Sequence, residues 1–114
     1  MHISILDDTG PTAKLSLQGK LDIAGADEVA APLASLSSTK RDLLIDMAGV
    51  TFLTSPGIRQ LVAASRALAR AGGRLVLLKP NETVVDVLRV TGVCDLMTIV
   101  ASEGEAAAAL QSPA

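Results

Sequence analysis

The sequence lacks most of the residues from which nucleic-acid, metal and disulfide sites are built. Its 114 residues include no Trp, no Tyr, one Phe, one Cys and one His. Stacking on single-stranded bases needs several aromatic rings, and a zinc site usually takes about three or more protein ligands, so neither site is expected. One cysteine excludes an internal disulfide and fits a reducing compartment. The net charge of −2, from 10 basic and 12 acidic residues, argues against a nucleic-acid partner.

Long apolar runs are also absent. No run approaches the ~20 residues that a membrane-spanning helix needs, so no membrane partner is expected. The first ten residues lack the basic start and apolar stretch of a secretory signal, which favours a cytoplasmic protein. No linker or repeat divides the chain, and 49% of its residues are hydrophobic. That share can supply an independent core, so a single domain over residues 1–114 is predicted.

Hydrophobic periodicity in the first third of the chain predicts a hairpin and then a helix. Two short alternating runs flank the turn-forming residues 7–11, which is typical of antiparallel strands. A helical pattern follows Asp22, and Pro32 lies inside it. An interior proline removes one backbone hydrogen bond and crowds the preceding turn. We therefore predict either a bend there or a helix that starts late, near Ala31.

The middle of the chain predicts a parallel strand–helix–strand unit. Residues 43–45 form a continuous apolar run, which favours a strand covered on both faces. Residues 48–53 are predicted to form a loop, and residues 58–69 then show the sharpest helical spacing in the chain. Gly72-Gly73 is expected to end that helix before a second buried strand over residues 74–79.

The last third of the chain predicts two more helices and a further strand. Asn81 is expected to cap a short helix, and residues 97–100 are predicted to form the last strand. Ser102 and Glu105 have the spacing of a capping box before an alanine-rich helix. The elements as a set predict an α/β fold, with a mixed sheet of about five strands and helices packed mainly on one side.

The segment Thr54-Ser55-Pro56-Gly57 precedes the most regular helix and is the most informative part of the sequence. Proline is favoured at the first helical position, and the residue before it is pushed towards extended geometry. These preferences predict that Ser55 is the N-cap, with its hydroxyl near the surface. The segment follows a predicted parallel strand, and open α/β sheets place their working surfaces at such carboxyl ends. Ser55 therefore either only caps the helix or also serves as a functional group.

Three motifs, in their order and spacing, resemble a known family. They are G-x-L-D at residues 19–22, the strand ending at Asp46 together with the segment 52–58, and Gly72-Gly73 before residues 75–77. On these motifs the chain resembles the STAS family, which comprises bacterial anti-sigma factor antagonists and related domains. The resemblance covers about residues 3–110 and implies one STAS-like domain.

The resemblance implies a non-enzymatic protein that acts by binding and phosphorylation, without a cofactor or a metal. In the family, the matching serine is phosphorylated by a serine-kinase anti-sigma factor of the GHKL type, so Ser55 is the implied phosphoacceptor. Binding of the unmodified protein to that kinase frees a sigma factor for transcription, and a PP2C-type serine phosphatase resets the switch. The implied partner-binding residues are Asp22, Thr54, Ser55, Pro56, Gly57, Ile58 and Arg59.

Alternatives stay open at several positions. Thr54 stands where the family usually has Asp, which leaves room for a constitutive interaction subunit of a signalling or lipid-transport assembly that has no phosphorylation cycle. Asp22 either caps the next helix or faces the partner. Arg59, Arg66 and Arg70 share the outer side of the serine helix, where they either form a solvated face or contact an acidic partner. Monomer and dimer are equally compatible with the sequence.

Overall fold

Residues 1–111, which the computed structural model describes, form a five-stranded mixed sheet with helices on both faces. The strands are β1 (His2–Asp7), β2 (Thr12–Leu21), β3 (Asp42–Leu53), β4 (Leu75–Leu78) and β5 (Thr98–Val100), and they lie side by side in chain order. The helices are α1 (Ile23–Thr39), α2 (Ser55–Arg70), α3 (Glu82–Val90) and α4 (Glu103–Gln111), with a 3₁₀ turn over Cys94–Leu96. β1 is antiparallel to β2, and the other neighbouring strands are parallel.

The predicted N-terminal hairpin is confirmed. Ile3 pairs with Leu17 across β1 and β2, and Ile5 pairs with Leu15. In the turn, a threonine donates both its backbone N–H and its hydroxyl to the Asp7 carboxylate, at 3.0 and 2.8 Å. Because these bonds favour the ionised carboxylate, they hold the pKa of Asp7 below its ordinary value.

The side chains pack in two layers on either side of the sheet. The larger core lies between one face and the helices α1, α2 and α3, where Leu15 and Ile45 of the strands cluster with Val29, Leu61 and Leu88 of the helices. The smaller core, under α4, consists of Leu44, Val76, Leu78, Val100 and Ala106. Three helices therefore share one face, which confirms the predicted α/β arrangement. No helix within residues 1–111 has the length and apolar character needed to cross a membrane.

The strand β3 is longer than predicted. The apolar run over residues 43–45 is buried on both faces of the sheet, as expected. The prediction of a loop over residues 48–53 is wrong, because β3 continues to Leu53, which pairs with Leu21 at the end of β2. Two register shifts keep the strands paired along this stretch. The long neighbouring strand supplies hydrogen-bond partners that local propensity does not reveal.

The helix α1 begins at Ile23, so the predicted late start near Ala31 is wrong. The Asp22 carboxylate accepts the backbone N–H of Gly25 at 2.9 Å and so caps the helix. Val29, in the second turn, also packs in the larger core. The cap and this burial offset the hydrogen bond that Pro32 removes, whereas a bend at Pro32 stays a prediction.

The two faces of α2 are as its spacing predicts. Leu61 and Leu68 are fully buried against the sheet, whereas Arg59 and Arg66 are exposed. The predicted glycine stop is also confirmed. Gly72, just after the helix, has a φ of 82°, in the left-handed region that glycine enters without strain.

The N-caps of the last two helices, α3 and α4, follow the sequence pattern with one difference. The Asn81 side chain accepts the N–H of Val84 at 2.8 Å and caps α3. At the start of α4, the Ser102 hydroxyl accepts the N–H of Glu105 at 3.1 Å. The Glu105 carboxylate, however, accepts the N–H of Ala101 at 2.6 Å and not that of Ser102. The predicted capping box is therefore changed in one hydrogen bond: the donor to Glu105 is the residue before the N-cap and not the N-cap itself.

Candidate functional site

The candidate site lies where β2 and β3 end next to each other. The last residues of these strands, Leu21 and Leu53, are paired. The Leu21 carbonyl accepts both the backbone N–H and the hydroxyl of Thr54, each at 3.2 Å. These bonds hold Thr54, which follows β3, beside Asp22, which follows β2. The two residues lie at the carboxyl edge of the parallel strands, the edge at which α/β sheets place their working surfaces.

The N-cap of α2 is Thr54, so the prediction that Ser55 is the N-cap is wrong by one residue. Thr54 has extended backbone angles (φ −119°, ψ 174°), and its carbonyl accepts the N–H of Ile58 at 2.9 Å. Ser55 is the first helical residue and Pro56 the second. Either position suits a proline, because the first N–H groups of a helix have no carbonyl partner within it. The Thr54 hydroxyl donates to the Leu21 carbonyl and caps no N–H of α2.

The Ser55 hydroxyl does not stabilise the fold through a hydrogen bond in the described part of the chain. Ser55 is exposed, and its hydroxyl makes no hydrogen bond to another residue within residues 1–111. No side chain caps the first turn of α2, and Pro56 has no N–H, so the free donors of that turn are the N–H groups of Ser55 and Gly57. A hydroxyl in this position is accessible to an enzyme that could transfer a group to its oxygen. An anionic group attached there would lie near the free N–H groups of the helix.

An open depression of about 640 Å³ adjoins Ser55. Its lining comes from the starts of α1 and α2 and consists of Asp22, Ile23, Ala24, Asp27, Thr54, Ser55 and Pro56. Ile23 exposes 70% of its surface, so the depression offers an apolar contact beside two carboxylates. No sequence motif pointed to Ile23, Ala24 or Asp27. The one feature of the sequence that could have indicated these three residues is their position in the first turns of the helix expected after Asp22.

The predicted partner-binding residues divide into an exposed and a buried group. Those that line the depression are Asp22, Thr54, Ser55 and Pro56. Arg59 is exposed one turn further along α2. Gly57 and Ile58 are buried, so they position the helix from the core side and are not part of the exposed surface.

A side chain at Gly57 would collide with both strand ends. A Cβ there would lie 2.6 Å from the Leu21 carbonyl oxygen and 3.0 Å from a methyl carbon of Leu53. Such distances are well inside van der Waals contact. Gly57 therefore allows α2 to begin tightly against β2 and β3, and this close approach determines where Ser55 lies.

Charges of opposite sign flank Ser55. The carboxylates of Asp22 and Asp27 share the depression with it, and Arg59 follows four residues along α2. None of these three residues forms an ion pair within residues 1–111. The same part of the chain contains no group of His, Cys, Asp and Glu that could hold a metal ion. The site is therefore an exposed hydroxyl between an acidic side and a basic side.

The role of Asp22 as a cap is testable by a pair of substitutions. Asp22→Ala is expected to lower the free energy of unfolding by about 0.5–2 kcal/mol, because the Gly25 N–H loses its acceptor. Asp22→Asn keeps an acceptor oxygen and is expected to change it by a few tenths of a kcal/mol at most. Urea denaturation of the three proteins measures both. An equal loss in both variants would assign the stabilisation to the charge of Asp22 and not to the hydrogen bond.

Comparison with known proteins relates the chain to one family. The family model described as STAS domain matches residues 5–106. BtrV of Bordetella bronchiseptica, named as a candidate anti-sigma factor antagonist, is 27% identical over 97 residues, which cover 84% of each chain. The anti-sigma-B factor antagonist of Bacillus subtilis is 27% identical over 92 residues, which cover 80% of this chain and 84% of that protein.

Solved structures share the fold. The anti-sigma factor antagonist SpoIIAA in its unphosphorylated form superposes with a TM-score of 0.81 at 22% identity, over 96% of both chains. Its phosphorylated form superposes with a TM-score of 0.73 at 21% identity, over 96% of this chain and 100% of that one. The murine anion transporter Slc26a9 has a TM-score of 0.68 and 20% identity, over 92% of this chain and 18% of the transporter. At these identities the likeness shows the fold alone.

Proposed function

The chain belongs to the STAS domain family, and from this premise we propose that it is an anti-sigma factor antagonist that phosphorylation of Ser55 switches off. The unmodified protein binds a serine-kinase anti-sigma factor of the GHKL type and so frees a sigma factor for transcription. A curated relative and a solved relative that carry the name of anti-sigma factor antagonist support this role. The observation that carries the proposal is the exposed Ser55 hydroxyl, which has no partner within residues 1–111.

The partner docks on the depression and on the exposed start of α2. Ile23 supplies an apolar contact, and the carboxylates of Asp22 and Asp27 accept hydrogen bonds. Arg59 supplies a donor on the other side of Ser55. An apolar centre with polar groups around it is the usual composition of a protein interface.

The kinase transfers the γ-phosphoryl group of ATP to the Ser55 oxygen. The new bond joins phosphorus to that oxygen, the bond to the β-phosphate oxygen breaks, ADP leaves, and the serine proton is released. Phosphoserine adds a charge of about −1.5 to −2 and three acceptor oxygens. The fold accepts this charge, because the free N–H groups and the dipole at the start of α2 favour an anion.

The phosphate changes the docking surface in two ways. It brings negative charge next to Asp22 and Asp27, whose carboxylates repel it. It also lies one helical turn before Arg59, and residues four apart on a helix are neighbours, so the phosphate attracts the guanidinium away from the partner. The modification therefore acts on binding and leaves the fold in place.

A phosphatase of the PP2C type removes the phosphate and restores binding, and we place this cycle in the cytoplasm. That SpoIIAA has been solved in both unphosphorylated and phosphorylated forms supports a reversible cycle. The cycle needs no cofactor on this chain, because the kinase brings the ATP.

Substitutions at Ser55 are expected to separate stability from binding. Because Thr54 is the N-cap, Ser55→Ala should change the free energy of unfolding by less than about 0.5 kcal/mol. It should also bind the kinase like the wild type and stay bound in the presence of ATP. Ser55→Asp should be equally stable or up to about 1 kcal/mol more stable, since an acid suits the first turn of a helix. It should nevertheless bind about tenfold or more weakly, because it places a charge in the contact.

Melting temperatures and calorimetric affinities of the two Ser55 variants measure these effects. If Ser55→Asp binds the kinase as tightly as the wild type does, charge at this position does not control docking and the switch is refuted.

The direct test is incubation with ATP and each purified GHKL-type serine kinase encoded in the same genome, followed by mass spectrometry. One phosphoryl group is expected, on Ser55, and none in the Ser55→Ala control. A kinase that binds the chain but leaves Ser55 unmodified would contradict the phosphorylation cycle while leaving the binding role in place.

A second candidate is a constitutive interaction subunit of a signalling or lipid-transport assembly. Two observations favour it: Thr54 stands where the family usually has an acidic residue, and the fold matches part of the transporter Slc26a9. In this case binding would not depend on the charge at Ser55. Neighbouring genes distinguish the two, because a GHKL kinase and a phosphatase accompany a switch, whereas transport genes accompany the subunit.

A further inference from the structure

The outer side of α2 carries a row of arginines that the proposed switch does not use in full. Arg59, Arg66 and Arg70 are exposed, and we call these three residues the arginine ridge. Around the helix they lie within about 40° of one another, and along it they span about 16 Å. The ridge is straight, and it begins one turn after Ser55.

No local charge balances the arginine ridge. The 16 residues of α2 include no Asp or Glu. None of the three arginines forms an ion pair with another residue in the described part of the chain. The arginine ridge is therefore a local positive surface on a chain whose net charge is −2.

The ridge does not stabilise its own helix. Arg66 and Arg70 are four residues apart, and like charges at this spacing destabilise a helix. Arg70 alone has a local benefit, because a cation in the last turn suits the helix dipole. Arg66 has no such benefit, so its charge does not contribute to the stability of the helix.

A shallow groove between α1 and α2 runs beside the ridge. It has a volume of about 220 Å³, and no charged residue lines it. Small side chains form much of it, among them Ala30 and Ala34 from α1 and Ala63 and Ala67 from α2. Ala63 lies within one turn of both Arg59 and Arg66, so the groove and the ridge form one continuous surface. Side chains of this size let the backbone of another helix approach closely.

We propose that the arginine ridge and the adjoining groove dock an acidic helical segment of the anti-sigma partner, an inference that rests on the proposed function. A helix laid along the groove would place carboxylates opposite the ridge over three turns. Arg59 would connect this surface to the depression at Ser55, so one partner would cover both. Electrostatic complementarity of this kind raises the association rate and selects the partner.

The test measures the affinity of arginine variants for the GHKL-type serine kinases of the same genome, each purified. Arg66→Gln is expected to weaken binding about 3–10-fold at about 0.05 M salt. The double variant Arg66→Gln/Arg70→Gln should weaken binding more than either single substitution does. The loss should shrink at about 0.3 M salt, where exposed charges are screened. Arg89→Gln on α3 is the control for loss of an exposed arginine outside the ridge, and it should bind within about twofold of the wild type. Its exposed ion pair with Asp86 at 3.2 Å contributes little to stability. Melting temperatures should be unchanged in all variants, because these side chains are exposed.

The possible outcomes test the docking surface separately from the proposed function. If the wild type binds a kinase and the Arg66/Arg70 double variant binds it equally well, the docking surface is refuted and the proposed function stands. If the wild type binds no kinase, the proposed function fails and the docking surface fails with it. Binding of a random DNA duplex that the double variant loses would assign the ridge to nucleic acid. A wild-type dimer that the double variant abolishes in light scattering would assign it to a second copy of the chain.

Discussion

Leu61→Ala is expected to lower the free energy of unfolding by about 2–5 kcal/mol. Leu61 is fully buried in the larger core, on the side of α2 that faces the sheet. The substitution removes the packing of the leucine side chain and leaves a cavity that neighbouring residues fill only in part. A loss of this size is a large fraction of the stability of a small domain, so the melting temperature should fall by several degrees or more.

The matched control is Arg66→Ala on the opposite side of the same helix. Arg66 is exposed and has no ion pair within residues 1–111, so its removal is expected to change the free energy of unfolding by less than about 0.5 kcal/mol. Urea denaturation of both variants gives the comparison. Comparable losses from the two substitutions would show that the faces of α2 are assigned incorrectly.

The second large effect is expected from Gly57→Ala, which should cost about 1–3 kcal/mol of stability. The added methyl group would lie 2.6 Å from the Leu21 carbonyl oxygen and 2.7 Å from the Leu21 Cγ atom. These atoms belong to the end of β2, so relief requires α2 to move away from the sheet. The movement would displace Ser55, so the proposed phosphorylation of Ser55 should slow as well.

Gly104→Ala is the control for Gly57→Ala. Gly104 also lies in the first turn of a helix, but the nearest atom to a Cβ there is the Ser102 hydroxyl oxygen at 3.9 Å. With space available, the helix preference of alanine over glycine should raise the stability by up to about 1 kcal/mol. The two substitutions are thus expected to have opposite signs. A stabilising Gly57→Ala would mean that α2 does not need its close approach to the strand ends.

The order and type of the elements were readable from the sequence because they depend on residues close together along the chain. The hairpin follows from two alternating runs around a polar turn, and the faces of α2 follow from the spacing of Leu61 and Leu68. The stop at Gly72 and the cap at Asn81 are local for the same reason, since each concerns bonds within one turn. Ser55 was found in the same way, through the proline and glycine that follow it and the order of the surrounding motifs.

The shape of the site depended on residues that are far apart in the sequence, and only the tertiary structure decided it. β3 runs on to Leu53 because β2 supplies hydrogen-bond partners along its length, and no local preference of the segment indicates this. The N-cap of α2 is Thr54, whose backbone N–H and hydroxyl both donate to the Leu21 carbonyl, 33 residues away in the chain.

The acidic side of the site was also determined by the tertiary structure. Asp27 comes to Ser55 because β2 and β3 end together and bring the first turns of α1 and α2 to one depression. Local periodicity therefore determines which elements form, because helical and extended backbones satisfy their side-chain patterns over a few residues. Where an element ends, and what lies beside it, depends on burial and hydrogen bonds between distant segments, which only the folded chain brings together.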